Sequence, residues 1–354
     1  MPLEMADALH AWAAEWSRAS VAAGAAAARL LRGKRPVGAA RRGASANEVV
    51  ARRGNVLLRK FGVEGRPKAR VVIVASLINR WYVMDLLPGV SVIEKLRTAG
   101  IETFVIDWGA PGAQGPRRTF SDYCDELIPW AIRESGGPAA IMGYCMGGTI
   151  ASMHAALHPD EVRALVLLGT PIDFRNSGVL ATWTENGRFD GDLVADAFGN
   201  VPPWMLQSAF KAMAAADLPR KWKDLVKNAD DEELVRQFVA LESWLEDNVA
   251  FPGGLYREYI RGCYQENRLV AGGMKVGGRV VDLAKISMPL LNVIALRDRI
   301  CEPPASRALM NFASSGDKQV LEFDTGHIGL TTSKRALKEL WPRVTDWLIQ
   351  KSSV

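Results

Sequence analysis

Short apolar, β-branched runs recur from residue 70 onwards, at 71–77 (VVIVASL), 103–106 (TFVI), 139–142 (AAIM) and 164–168 (ALVLL). Between them lie residues 91–98, 120–134 and 146–157, whose apolar positions are spaced as in helices. Apolar strands alternating with helices predict a parallel sheet covered on both faces. The rhythm stops after Phe174 and resumes with 290–296 (LLNVIAL), a helix over 303–312, a strand over 319–323 (QVLEF) and a helix over 333–350. In between, residues 175–285 look mostly helical and carry Trp183, Trp204, Trp222 and Trp244. The pattern therefore predicts one doubly wound α/β core, residues 49–174 and 286–354, split by a helical insertion over 175–285. An insertion at that point caps the C-terminal ends of the strands, where ligands of such sheets bind.

Residues 1–48 read differently. Met5 to Leu31 is Ala-rich and helix-favouring, and 33–47 (GKRPVGAARRGASAN) has the composition of a linker. Residues 1–60 hold eleven Lys or Arg against four Asp or Glu, whereas the whole chain is only +5. The basic residues come with no nucleic-acid motif and no interleaved stacking aromatics, so no nucleic-acid partner is expected. The longest apolar runs fall short of 18 residues, so no membrane span is expected, and the acidic residues Glu4, Asp7 and Glu15 argue against an export signal. Cys124, Cys145, Cys263 and Cys301 show neither CxxC spacing nor a neighbouring His cluster. They read as reduced thiols in a cytoplasmic protein, with no metal site.

The densest chemical signal is Gly143-Tyr144-Cys145-Met146-Gly147-Gly148, which follows a predicted strand and opens a predicted helix. This is the context of a nucleophile elbow, with cysteine in place of serine. The sharp turn needs small neighbours, which Gly143 and Gly147 supply, while Gly148 and Ala151 let the helix pack close. At a helix N-terminus Cys145 is biased toward thiolate, and the N–H of Met146 is placed to meet a developing oxyanion. A second oxyanion donor is expected from the turn after 71–77, from the N–H of Ile78 or Asn79; Arg80, in the same turn, reads as an ion-pair partner or as a contact for a substrate phosphate.

A base and an acid follow in order. Of His10, His154, His158 and His327, only His327 lies in a loop just after a core strand, in Thr325-Gly326-His327-Ile328-Gly329. Asp298 directly follows the run 290–296. The order Cys145, Asp298, His327 is that of the α/β-hydrolase fold, in which the acid orients the imidazole and the imidazole moves protons. Asp324 is the competing acid, but it sits only three residues before His327. A cysteine nucleophile forms a thioester, so an acyl group taken from a thioester donor stays activated for a second acceptor. This suits transacylation, provided that water is kept out.

Further motifs extend the pattern: Leu77-Ile78-Asn79-Arg80, Ile106-Asp107-Trp108-Gly109, Ala156-Leu157-His158-Pro159-Asp160, Thr170-Pro171-Ile172-Asp173-Phe174, Gly199-Asn200-Val201-Pro202 and Tyr264-Gln265-Glu266-Asn267 followed by Gly272-Gly273. With the elbow, Asp298 and Gly326-His327-Ile328-Gly329, they make the chain from about Ala51 to Leu348 resemble the catalytic subunit of polyhydroxyalkanoate synthases, particularly the two-component class III. The resemblance implies that Cys145 accepts a 3-hydroxyacyl group from a coenzyme A thioester and passes it to a growing polyester chain. It implies that His327 deprotonates a 3-hydroxyl, with Asp298 assisting, and that no cofactor is needed beyond the coenzyme A of the substrate. A homodimer, a second non-catalytic subunit and residence at cytoplasmic polyester granules follow from the same resemblance. The chain departs from the family in Met146, where glutamine is common, and in Asp324-Thr325-Gly326, where a Pro-Gly-Gly-like turn is usual; residues 1–47 have no counterpart. Two other readings compete. One is a cysteine thioesterase or hydrolase resembling dienelactone hydrolase, whose acid follows the nucleophile much sooner than the 153 positions here. The other is a non-catalytic granule scaffold, which has no need of all three residues. Replacing Cys145 by alanine is expected to abolish turnover while circular dichroism and melting stay near wild type; substantial residual turnover would remove Cys145 from the nucleophile's role.

Overall fold

The computed structural model describes residues 43–214 and 218–353. The helix expected at 5–31, His10 and the linker as far as residue 42 lie outside the described residues. Eight strands form the main sheet: β1 (Glu48–Arg53), β2 (Val56–Phe61), β3 (Ala69–Val74), β4 (Ile101–Asp107), β5 (Ala139–Tyr144), β6 (Val162–Leu168), β7 (Leu290–Ala295) and β8 (Lys318–Phe323). Their order is β1-β2-β4-β3-β5-β6-β7-β8. The pairs from β4 to β8 are parallel, while β1 and β2 pair antiparallel with each other and β2 runs antiparallel to β4.

The apolar runs are legible because the central strands are buried on both faces. In β3, Val72 and Val74 join one core cluster and Val71 and Ile73 the other. Leu165 and Leu167 of β6 face the first cluster, and Ala164, Val166 and Leu168 the second. Helices cover both sides, as period-2 strands with two apolar faces require. α1 (Val92–Thr98) and the C-terminal helix Trp341–Lys351 pack on the second face. On the first lie α2 (Ile128–Glu134) and α3 (Met146–Leu157).

Three elements depart from the expected pattern. The β1–β2 hairpin was not expected; β1 is largely exposed, so its sequence EVVARR carries little of the buried-strand signal. The helix expected over 120–134 begins as a wider π-helical stretch, Asp122–Leu127, before α2. Pro129 supplies the cause, since it has no N–H to bond and its ring crowds the carbonyl four residues earlier. Pro342 divides the C-terminal helix in the same way, into Lys334–Glu339 and Trp341–Lys351.

Between β6 and β7 the described residues carry helices Gly178–Trp183, Gly191–Phe198, Pro203–Ala214, Leu218–Lys227, Glu232–Glu246 and Gly253–Glu258, then a π-helical turn, Tyr259–Gln265. Its buried side chains, among them Phe251, Leu255, Tyr259 and Cys263, belong to the same cluster as α3, and Trp244 joins the opposite cluster. The four tryptophans do not form a cap core. Trp183 and Trp204 are 42% and 59% exposed.

Asp85 ties the first described residues to the core. It is fully buried and accepts from the N–H and hydroxyl of Ser45, at 2.8 and 2.9 Å, and from the hydroxyl of Ser91, at 2.5 Å. Ser91 in turn caps α1 by accepting from the N–H of Glu94. Asp85→Ala leaves these donors without their acceptor, which costs roughly 1–3 kcal/mol each. A loss of about 3 kcal/mol is expected, read as a lower urea midpoint at unchanged slope.

Candidate active site

The elbow sits where three strand ends meet. Cys145 follows β5 with φ 55° and ψ −130°, a left-handed backbone that side chains rarely adopt. Its N–H donates to the carbonyl of Leu168 at the end of β6 (3.0 Å), and its own carbonyl accepts from Gly148 (2.9 Å). A Cβ at Gly147 would run into the carbonyl oxygens of Val74 and Ala75, and one at Gly148 into the side chain of Thr170. The glycines thus let α3 press against the ends of β3 and β6 while the thiol stands clear. Met146 is fully buried in the first turn of α3, where an N–H has no partner within its helix.

His327 and Asp298 are brought together 29 residues apart in sequence, with His327 Nδ1 2.6 Å from Asp298 Oδ2. Both are buried. The other carboxylate oxygen, Oδ1, accepts the N–H groups of Ile300 and Cys301, each at 2.9 Å. The carboxyl is therefore held on both oxygens, and the ring is left with Nε2 for chemistry. Burial pulls the imidazole toward its neutral form, but the charges of Cys145 and Asp298 and hydrogen bonds to both outweigh it, raising the pKa from 6.5 to about 10. The ring lies beside Tyr144, with centroids 5.1 Å apart.

The remaining candidates have partners of their own. Asp324 is exposed and paired with Arg297 at 2.7 Å. His154 is buried, with Nδ1 2.8 Å from the carbonyl of Cys124, and burial lowers its pKa to about 4. His158 bonds Asp125 at 2.9 Å. Arg80 pairs with Asp247 at 3.3 Å. In the turn after β3, the N–H of Ile78 donates to Ser76 Oγ at 3.3 Å. Asn79 forms an antiparallel bridge with Asn248 in which Val249 N–H reaches the carbonyl of Ile78. That makes Asn79 and Asn248 a non-hydrogen-bonded pair, so the N–H of Asn79 points away from Asn248. Cys124, Cys263 and Cys301 are buried and their thiols pushed up chiefly by burial, whereas Cys145 is partly exposed. Among the described residues no group of three His, Cys, Asp or Glu is arranged to hold a metal ion.

Two residues near the site had no role assigned from the sequence: Gly169, which no motif contains, and Asn267, which closes the motif Tyr264-Gln265-Glu266-Asn267. Gly169 follows β6 with φ 51°, and a Cβ there would lie 3.2 Å from the ring of His327 and 3.3 Å from Asp298 Oδ2. Its position immediately before the Thr170 motif was the available signal. Asn267, also left-handed at φ 49°, is buried; it accepts from the N–H of Phe174 (2.9 Å) and donates to Asp173 (2.7 Å). It thereby joins the exit from β6 to the far end of the insertion. There Phe174, Tyr259 and Tyr264 form an edge-to-face cluster. Burial, and after it the charge of Cys145, push the Tyr264 hydroxyl up.

Residues 77–333 match the α/β-hydrolase fold family. The chain is 37% identical over 306 residues to the poly(3-hydroxyalkanoate) polymerase subunit PhaC of Allochromatium vinosum, covering 84% of this chain and 86% of that protein. It belongs to the PhaC family. The protein of the same name from Haloferax mediterranei is 35% identical over 319 residues, covering 88% of this chain but 65% of its own length. That from Synechocystis is 32% identical over 326 residues, covering 87% and 85%. Among solved structures, a thermophilic esterase from Thermogutta terrifontis superposes with a TM-score of 0.56 at 14% identity, over 87% of this chain and all of that one. A hydrolase from Pseudomonas aeruginosa gives 0.56 at 15% identity, covering 85% and 98%. These likenesses carry the fold alone.

The charge coupling at His327 has a measurable consequence. In Cys145→Ala the first of the raising influences is gone, so the His327 ring, followed by NMR, is expected to titrate at lower pH than in the wild type. An unmoved midpoint would show that the thiol does not act on this ring.

Proposed function

We propose that the chain is a polyester synthase subunit that transfers 3-hydroxyacyl groups from coenzyme A to a growing polyester chain. The observation that carries this reading is the cysteine itself: a partly exposed thiol on a strained elbow, beside a His–Asp pair, in a PhaC-family chain. Identity to proteins named poly(3-hydroxyalkanoate) polymerase across most of the chain supports it.

Cys145, His327 and Asp298 are the catalytic residues of this reading. The Cys145 thiolate attacks the thioester carbonyl carbon, and the oxyanion is met by the N–H of Met146 and, across the site, of Asn79. The carbon–sulfur bond to coenzyme A then breaks, and the departing thiolate takes the proton from His327 Nε2. This leaves an acyl-cysteine thioester and a neutral imidazole. Acylation removes the charge on Cys145 that held the ring protonated, so His327 is a base when the acceptor arrives. The 3-hydroxyl of the acceptor gives its proton to Nε2 as its oxygen attacks the acyl carbon. Cys145 leaves as thiolate, and the thiolate–imidazolium pair is restored. Asp298 holds the ring and balances its charge throughout. The aromatic cluster of Phe174, Tyr259 and Tyr264 is the wall that keeps water from the thioester.

The same reading takes the working form as a homodimer with a second, non-catalytic subunit at cytoplasmic polyester granules. The word "subunit" in the relatives' names supports the second component, and no helix among the described residues is long and apolar enough to cross a membrane. The chain is expected to release thiol from 3-hydroxybutyryl-coenzyme A and to form a high-mass ester, followed together by thiol assay and mass. Thiol release with only free 3-hydroxybutyrate would transfer the assignment to a thioesterase.

A further inference from the structure

The turn after β3 is gripped by the insertion. Asn79 Nδ2 donates to Asn248 Oδ1 at 2.5 Å. The hydroxyl of Tyr82 donates to Asp247 Oδ2 at 2.7 Å, and Arg80 Nε lies 3.3 Å from Asp247 Oδ1. Trp244 Nε1 donates to the carbonyl of Arg80 at 2.8 Å, and Val249 N–H reaches the carbonyl of Ile78 at 3.4 Å. All five contacts join the short stretch 78–82 to the short stretch 244–249, more than 160 positions away in the chain. Trp244 anchors the grip, being 2% exposed within the core cluster.

The turn so gripped is the one that has to supply the second oxyanion donor. Its N–H groups are not interchangeable. That of Ile78 bonds Ser76 Oγ, whereas that of Asn79 points away from the insertion because the Asn79–Asn248 pair is the non-hydrogen-bonded kind. The side-chain bond between Asn79 and Asn248 therefore fixes the residue whose backbone N–H faces the other way. A donor works only when aimed at the place where the oxyanion forms, and a displacement of about 1 Å can cost a hundredfold in rate.

We propose that Asn248, seconded by Asp247, is a positioning residue: it holds Asn79 so that the peptide N–H of Asn79 serves the tetrahedral intermediate on Cys145. The inference rests on the acyl-transfer reading above and adds to it that the insertion completes the oxyanion site. Acylation then proceeds only while the 244–249 segment is seated on the turn.

The test compares two reactions of the same thiol. Acylation of Cys145 passes through an oxyanion; alkylation by iodoacetamide does not. In Asn248→Ala, kcat for acylation by 3-hydroxybutyryl-coenzyme A is expected to fall about 10–100-fold, with little change in KM and an unchanged alkylation rate. Asn79→Ala should fall similarly, and the double variant no further than the lower single one, because both remove one contact. Asn248→Asp, which keeps an acceptor for the Asn79 amide, should recover most of the loss. Wild-type acylation by Asn248→Ala, or a fall in alkylation in step with acylation, would overturn the inference. Running p-nitrophenyl acetate in parallel separates the two levels. A wild-type chain acylated by the ester but not by the thioester would sink the polyester reading and leave the positioning role to be judged on the ester; one inert to both would sink each.

Discussion

Everything at this site hangs on one residue held in an unfavourable backbone conformation. A left-handed φ at a non-glycine residue costs on the order of 1–3 kcal/mol and persists only where its surroundings over-determine it. At Cys145 they do. The N–H is tied to β6, the carbonyl to the first turn of α3, and the glycines on either side bring α3 against the carbonyls ending β3. The strain is thus shared by the register of three strands that are themselves almost wholly buried. Glycine at 145 would relax the backbone but remove the thiol, so the sheet has to carry the cost.

Around that residue the electrostatics work against burial. A buried histidine would ordinarily be neutral, yet here the charges of Cys145 and Asp298 more than reverse the effect of burial. Asp298 is held by two backbone N–H groups on one oxygen and the imidazole on the other, so neither carboxylate oxygen is left without a partner. In the acyl-transfer mechanism proposed above, the thiol is the partner whose charge comes and goes, so that the ring would be acidic when a leaving group needs a proton and basic when a hydroxyl must lose one. Gly169 keeps space open next to this pair, since any larger residue would press on both partners.

Much of this was legible in the sequence because it is local. The runs at 71–77 and 164–168 announce buried strands, and the elbow hexapeptide announces its own turn. His327 and Asp298 were found by their places after strands, and the structure sets them 2.6 Å apart. What escaped was long-range or weakly patterned. The exposed β1 has little apolar contrast, and Gly169 matters only because β6 ends beneath His327. Composition does not tell which side chains of the insertion are buried: Trp183 and Trp204 face solvent while Tyr256, Tyr259 and Cys263 supply the burial. Nor does any local pattern tell that Arg80 spends its charge on Asp247, on the far side of the insertion.

That distribution of burial divides the insertion energetically. Residues 251–283 share the hydrophobic cluster of α3, so moving them would expose core side chains and cost the burial that stabilises the sheet itself. The helices Gly178–Trp183 and Pro203–Ala214 have no fully buried residue, and Leu193, Phe198 and Trp204 are exposed. Local opening is cheapest where few apolar contacts are lost. The edge-to-face pair of Tyr259 and Tyr264 therefore belongs to the rigid half, and rearrangement costs least in the loosely packed half. The segment 244–249 lies between the two. It is anchored by the buried Trp244 and Val249 and otherwise held to the turn after β3 by polar contacts, one of them between backbones, each contributing only about 0.5–1.5 kcal/mol net.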